Sequence, residues 1–147
     1  MRRRKGDTAT RVILATFRAN GLLTAAGDVL SADEGLTAAP WQVLGALALA
    51  GQPLTVPQVA RRMGLTRQSV HATVSRLAEN GLVELVANAD HQRSSLVRLT
   101  ASGSARYRRM ERRQAAWVER LVAGLSAADL STAAQVLEEL VRRLEES

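Results

Sequence analysis

The chain has 147 residues, 46% of them hydrophobic but only 3% aromatic, and carries 20 Lys and Arg against 14 Asp and Glu, a net charge of +6. That length fits one domain, or a small reading module with its own assembly helices, and leaves little room for a separate catalytic unit. The absence of cysteine excludes disulfides, thiolate metal sites and thiol redox sensing.

The apolar residues are mostly Ala, Leu and Val, which fill helix–helix seams and predict a mainly helical protein. The opening Arg2-Arg3-Arg4-Lys5 run is followed by polar residues, so it does not read as a signal peptide. A first helix is expected from about Thr8 to about Leu30, with Val12, Ile13, Phe17, Leu22 and Leu23 as its apolar side and Gly21 and Gly27 weakening it. Ser31 to Leu36 reads as a loop. Thr37 can cap a second helix bearing Trp41, Leu44, Leu47 and Ala48, which Gly51-Gln52-Pro53 ends. The run Val43 to Ala50 is the longest apolar stretch, far short of the ~20 residues that span a bilayer. The expectation is a soluble cytoplasmic protein with no membrane partner.

Thr55-Val-Pro-Gln58 matches a capping box, in which the Thr hydroxyl and the Gln side chain each satisfy the other's free backbone N–H. The short helix it starts carries Val56, Val59, Ala60 and Met63, and Gly64 suits the left-handed position that ends it. Thr66 then caps a helix from about Arg67 to Asn80. Two helices joined by so short a Gly-containing turn make a helix-turn-helix. Val70, Val74, Leu77 and Ala78 fall on one face of the second helix; Gln68, Ala72, Ser75 and Arg76 fall opposite, with Ser69 and His71 at the margins. Leu82–Ala87 and Ser95–Thr100 read as a hairpin around the polar loop Asn88–Ser94. Thr100 can cap a long helix from about Ala101 to Gly124. A last helix, about Ala127 to Glu145, spaces Leu130, Ala133, Leu137, Leu140 and Leu144 as a seam for another helix.

The charge surplus is localised. Between Thr55 and Met110 stand nine arginines and three acidic residues, while the rest of the chain balances. A basic segment of this kind is expected where a polyanion docks, or it is a solvated basic face. The exposed side of the Arg67–Asn80 helix offers donors and acceptors to base edges: Gln68 could pair with adenine and Arg76 with guanine or phosphate. Arg67, Ser69, His71 and Thr73 could reach bases or backbone, and small Ala72 would permit close approach. Arg61 and Arg62, one helix earlier, are better placed for phosphates.

The stretch Leu65-Thr-Arg-Gln-Ser-Val-His-Ala-Thr-Val-Ser-Arg-Leu-Ala-Glu-Asn-Gly-Leu-Val-Glu84, the wing Asn88 to Arg93, and Leu96-Val-Arg-Leu-Thr100 followed by Gly103 together resemble the MarR family (multiple antibiotic resistance regulators). The likeness covers nearly the whole chain. It implies a mainly α fold with a small β-hairpin wing, a winged helix-turn-helix flanked by N- and C-terminal dimerisation helices. The corresponding division is residues 1–36, 37–100 and 101–147. Where members commonly carry Asp-x-Arg-Asp-x-Arg in the wing, this chain has Asn88, Asp90, His91 and Arg93. Arg93 is the first candidate for the minor groove and His91 the second.

The resemblance implies a sequence-specific, ligand-responsive repressor that binds a pseudo-palindromic operator in double-stranded DNA as a homodimer. The alternative is a non-specific architectural DNA-binding protein. Dimerisation is assigned to Val12, Ile13, Trp117, Leu121, Leu130, Leu137, Leu140 and Leu144, although the C-terminal leucines could instead pack within one chain. A small aromatic or phenolic anion is the implied effector. Phe17 and Trp41 could line its cleft, with core packing as their competing role. No cofactor and no metal are expected. His71 and His91 are the only histidines, and neither a phosphate-binding glycine loop nor an H-E-x-x-H motif occurs. An enzyme is therefore not expected, and the sequential pair Asp33-Glu34 is expected to be solvated.

Overall fold

The computed structural model describes residues 2–90 and 94–147. Helices α1 (Arg2–Ser31) and α2 (Ala38–Ala50) are followed by a short strand β1 (Leu54–Thr55), α3 (Val56–Met63) and α4 (Arg67–Glu79). Strands β2 (Val83–Val86) and β3 (Leu96–Leu99) then lead into α5 (Ala101–Leu121) and α6 (Ala127–Glu145). The mainly α winged-helix architecture expected from the sequence is thus observed.

The chain divides into two compact units, one up to Arg113 and the other Gln114–Ser147. In the first, Val43, Leu44 and Leu47 of α2 join Val59 of α3, Val70, Val74 and Leu77 of α4, Val97 of β3, and Tyr107 and Met110 of α5 in one core. Deep burial of so many branched side chains stabilises the helix-turn-helix far more than helix propensity could. The sheet is antiparallel with strand order β1-β3-β2. Val83 lies opposite Leu99 and Leu85 opposite Val97, while Leu54 also faces Val97 from the other side.

Several local details differ from expectation. Helix α1 starts at Arg2 rather than Thr8, and the Thr8 and Thr10 hydroxyls donate back to the Arg4 and Gly6 carbonyls at 2.9 and 3.0 Å. Thr37 occupies the cap position of α2 but makes no side-chain cap bond. Asp28 of α1 takes that role instead, its Oδ1 accepting from the Ala38 N–H at 2.7 Å. A carboxylate there also complements the helix dipole. The expected loop after α1 contains a 3-10 turn at Ala32–Glu34.

Thr100 behaves as expected. Its Oγ1 accepts from the Gly103 N–H at 3.0 Å and donates to the Gly81 carbonyl at 2.6 Å. These bonds draw the start of α5 against the segment before β2. A Cβ on Gly103 would lie 1.9 Å from the Leu82 carbonyl oxygen, so only glycine fits.

In the second unit Ser126 caps α6, accepting from the Asp129 N–H at 3.0 Å. Helix α6 has no buried residue. Leu130, Leu137 and Leu144 stand 39%, 40% and 73% exposed. Such a row of open leucines is far from the packed state of an ordinary core seam.

Candidate nucleic-acid interface

The turn between α3 and α4 is built from caps. Both halves of the capping box form: the Thr55 N–H donates to Gln58 Oε1 at 2.9 Å and the Gln58 N–H to Thr55 Oγ1 at 3.4 Å. Gly64 ends α3 in the left-handed region at φ 63°, where a side chain would be strained. Thr66 Oγ1 then accepts from the Ser69 N–H at 3.0 Å and starts α4.

Helix α4 buries Val70, Thr73, Val74 and Leu77. Arg67, Gln68, Ser69, His71, Ala72, Ser75 and Arg76 remain exposed. This is the face anticipated from helical periodicity, with one correction. Thr73 is only 2% exposed, because at this turn of the helix it sits beside Val70 and Val74 on the core side, and it cannot reach a ligand in a groove. The Ser75 hydroxyl is engaged too, donating to the His71 carbonyl at 3.0 Å.

Arg61 and Arg62 of α3 are exposed alongside. Among the described residues no ion pair involves Arg61, Arg62, Arg67 or Arg76. Arg67 stands in the first turn of a capped 13-residue helix, at its positive end, Arg76 in its last turn, and Arg61 and Arg62 in the last turn of α3; together they make an anion-attracting surface. A cavity of about 490 Å³ opens between α3 and α4, lined by Pro57, Gln58, Arg61, Leu65, Thr66 and Arg67. It offers backbone-phosphate chemistry: a helix N-terminus, a hydroxyl and two arginines.

Not all the basic surplus belongs to this surface. Arg98 pairs across the hairpin with Glu84, at 2.7 Å. Arg106 and Arg109 turn toward Glu34. The expectation of a solvated Glu34 is therefore overturned: its side chain is only 9% exposed. The Arg109 hydrogen bond holds the Glu34 carboxyl below the usual carboxylate range, and the charges of Arg109, Arg113 and Arg106 add to it against the opposing effect of burial. Its partners are more than 70 residues away in the chain, beyond any local pattern.

In the wing, Asn88 Oδ1 accepts from the Asp90 N–H at 3.2 Å, a local turn that shapes the approach to the tip. The candidates His91 and Arg93 lie outside the described residues. The expected effector aromatics are not together in a closed pocket. Phe17 is 71% exposed, so core packing is not its role within one chain. Trp41 is half-buried and packs on the core, its ring 3.4 Å from where a Cβ on Gly27 would stand. Neither lines the open cavity of about 500 Å³ formed by Leu47, Leu49, Pro53, Arg98, Leu99, Tyr107, Arg108 and Glu111. Burial pushes the Tyr107 phenol up, and Glu111 adds to this, so the phenol stays protonated beside that cavity.

Of the assigned dimerisation residues, Ile13 and Leu121 are 47% and 56% exposed, while Val12, Trp117 and Leu140 are half-buried. Leu22 and Leu23, expected on the apolar side of α1, are 63% and 52% exposed, and Leu14, at 61%, widens that surface beyond the residues singled out by sequence. Among the described residues no helix is long and apolar enough to cross a membrane. No group of three His, Asp or Glu side chains there could hold a metal ion.

Comparison with known proteins agrees with this geometry. The MarR family pattern matches residues 34–94. An uncharacterised protein of Mycobacterium tuberculosis is 43% identical over 97 residues, which is 66% of this chain and 66%, just under two thirds, of that protein's own length. The transcriptional activatory protein BadR of Rhodopseudomonas palustris is 31% identical over 67% of this chain and 58% of its own. The crystal structure of the PcaV transcriptional regulator from Streptomyces coelicolor, in complex with its natural ligand, is 31% identical with a TM-score of 0.66, covering 88% of this chain and 90% of that one. The helix-turn-helix and the first strand of the hairpin fall within the matched residues 34–94, the fold of 88% of the chain is matched by PcaV, and the chain belongs to the MarR family of winged-helix transcription regulators.

Proposed function

We propose that this protein binds a pseudo-palindromic operator as a homodimer and acts as a repressor released by a small effector. The observation that carries the reading is the outer face of α4, exposed and free of ion pairs among the described residues. In the major groove Gln68 would read adenine, and Arg76 guanine or phosphate. Ser69, His71 and Arg67 would contact bases or backbone, with Ala72 allowing close approach. Arg61 and Arg62 hold phosphates and so set the register. Arg93, or else His91, enters the minor groove from the wing.

The homodimer is supported by the open apolar residues of α1 and α6, here assigned to a two-fold interface of Val12, Ile13, Trp117, Leu121, Leu130, Leu137, Leu140 and Leu144. Such an arrangement would place two reading helices one DNA turn, ~34 Å, apart. PcaV's complex with its natural ligand supports an effector, which we assign as a small aromatic or phenolic anion contacting Phe17 and Trp41. It must bind the conformer with displaced reading helices better than the DNA-competent one.

The test is selection of bound sequences from random duplex DNA, with the mass of the complex measured alongside. A pseudo-palindromic winner held by two chains is the expected result. Equal affinity for random duplex would replace this reading with non-specific architectural binding. A reporter fused to the selected operator distinguishes repression from activation, the role in BadR's name.

A further inference from the structure

The Glu34 cluster belongs neither to the reading face nor to the apolar helices, and its charges do not balance. Arg109 takes both oxygens of the Glu34 carboxylate in a fork, Nε at 3.0 Å and Nη2 at 3.2 Å. Arg106 Nε stands 3.8 Å from Oε2 and Arg113 Nη1 3.5 Å from Oε1, close enough for attraction but not for hydrogen bonds. Both nitrogens are shut off from solvent and have no hydrogen-bond partner. Arg106 spends its Nη1 on the Glu34 backbone carbonyl, at 3.3 Å. The other nearby anion, Asp33, is 79% exposed and 4.0 Å from Arg113. Ser31, earlier in the same connector, is wholly buried, and its hydroxyl is also unpartnered.

Three guanidiniums therefore face one committed carboxylate and one peripheral one. Arginine cannot relieve the imbalance by losing its proton. Buried donors left without acceptors are costly, and charged ones more so. An occupant with at least two acceptor oxygens and negative charge would satisfy both free nitrogens, and guanidinium forks suit carboxylate and phosphate groups. We propose that Arg106 and Arg113, backed by Arg109 and Glu34, form a binding site for a small oxyanion between the connector after α1 and the first half of α5. All its members lie in the first unit, and the site stands or falls independently of operator binding. An anion held there would fasten the connector to α5 through Arg113 and through the Nε of Arg106, whose Nη1 already bonds the Glu34 carbonyl.

The test is isothermal titration of the full-length protein with inorganic phosphate, and separately with acetate, at ionic strength held constant with chloride. Saturable binding is expected. Arg106→Gln and Arg113→Gln should each weaken it at least about tenfold, the cost of one charge-assisted hydrogen bond. The titrations are made in an Arg61→Gln background, which weakens phosphate binding in the α3–α4 cavity, and Arg120→Gln, at an exposed arginine in the last turn of α5, should leave the binding unchanged. Glu34→Gln removes the competing negative charge and should tighten it. Binding of acetate as well as phosphate would assign the carboxylate of an organic acid as a ligand, and binding of phosphate alone a phosphoryl group. No saturable heat with either anion, or heat that survives both arginine substitutions, overturns the proposal. Should the arginine variants fail to fold by circular dichroism, failure of Glu34→Gln to tighten binding overturns it equally.

Discussion

Gly103→Ala should destabilise the protein, although alanine is the better helix former. The added Cβ would sit 1.9 Å from the Leu82 carbonyl oxygen, 2.9 Å from its carbonyl carbon and 3.3 Å from its Cα, all backbone atoms. Moving the two segments apart by roughly an ångström is overpacking, which costs about 1–3 kcal/mol. The same shift strains the bond from the Thr100 N–H to the Leu82 oxygen, now 3.1 Å, and leaving that carbonyl unpaired adds about 1–3 kcal/mol. Against this stands a gain of about 1 kcal/mol from replacing glycine within a helix. The balance is a loss of roughly 1–5 kcal/mol. For a chain of this size that lowers the melting temperature by roughly 2–20 °C. Thermal and urea unfolding of the variant beside wild type will measure it. The control is Gly21→Ala in α1, where no atom lies within 4 Å of the new Cβ and a gain of up to about 1 kcal/mol is expected. Unchanged or increased stability of Gly103→Ala would refute the reasoning, since propensity would then outweigh backbone contact.

Other substitutions separate the remaining roles. Arg76→Ala should weaken operator binding by ~1–3 kcal/mol in gel shifts and relax preference at one base position, while unchanged affinity would remove Arg76 from the interface. Thr73→Ser, at a buried position, should leave operator affinity within twofold; a larger loss at full folding would return Thr73 to the reading set. Glu34 has a lowered pKa, so its contribution is complete above the ordinary carboxylate value and fades as pH falls through the lowered one. Wild type should therefore lose stability in acid below about pH 5 more steeply than Glu34→Gln, and parallel melting-temperature profiles would exclude Glu34 as the cause. Leu137→Asp, in the open row of α6, should shift the protein to monomers by light scattering; an intact dimer would move the interface elsewhere.

The parts of the fold that were legible in the sequence are those whose signals are local. The Thr55–Gln58 box, the Gly64 turn and the Thr66 and Thr100 caps all act over three or four residues, and each forms as expected. The limits of α6, Ala127–Glu145, follow from the same kind of periodicity. What was hidden depends on distant partners. Strand β1 is two residues long and exists because Leu54 and Thr55 meet Val97 and Leu96. Glu34 left solvent because α5 brings it arginines. Thr73 is different, because its place was legible: three residues after Val70 and four before Leu77, it falls on the core face of α4, and its hydroxyl does not turn it outward.

The makeup of the exposed α4 face also limits how much it can know. Its long hydrogen-bonding side chains able to grip a base with two bonds are Arg67, Gln68 and Arg76, and the rest of the face is small or short. A fully determined base pair carries two bits, so three such contacts supply at most about six bits per half-site and about twelve for a two-fold complex. Singling out one address among about a million competing sites, the low end for a genome, takes about twenty bits. For the operator reading proposed above, the shortfall would have to be met by the wing and by the bending and groove width of the DNA itself. Operators of this protein should therefore be defined by flexible steps and A·T-rich flanks as much as by the letters under α4.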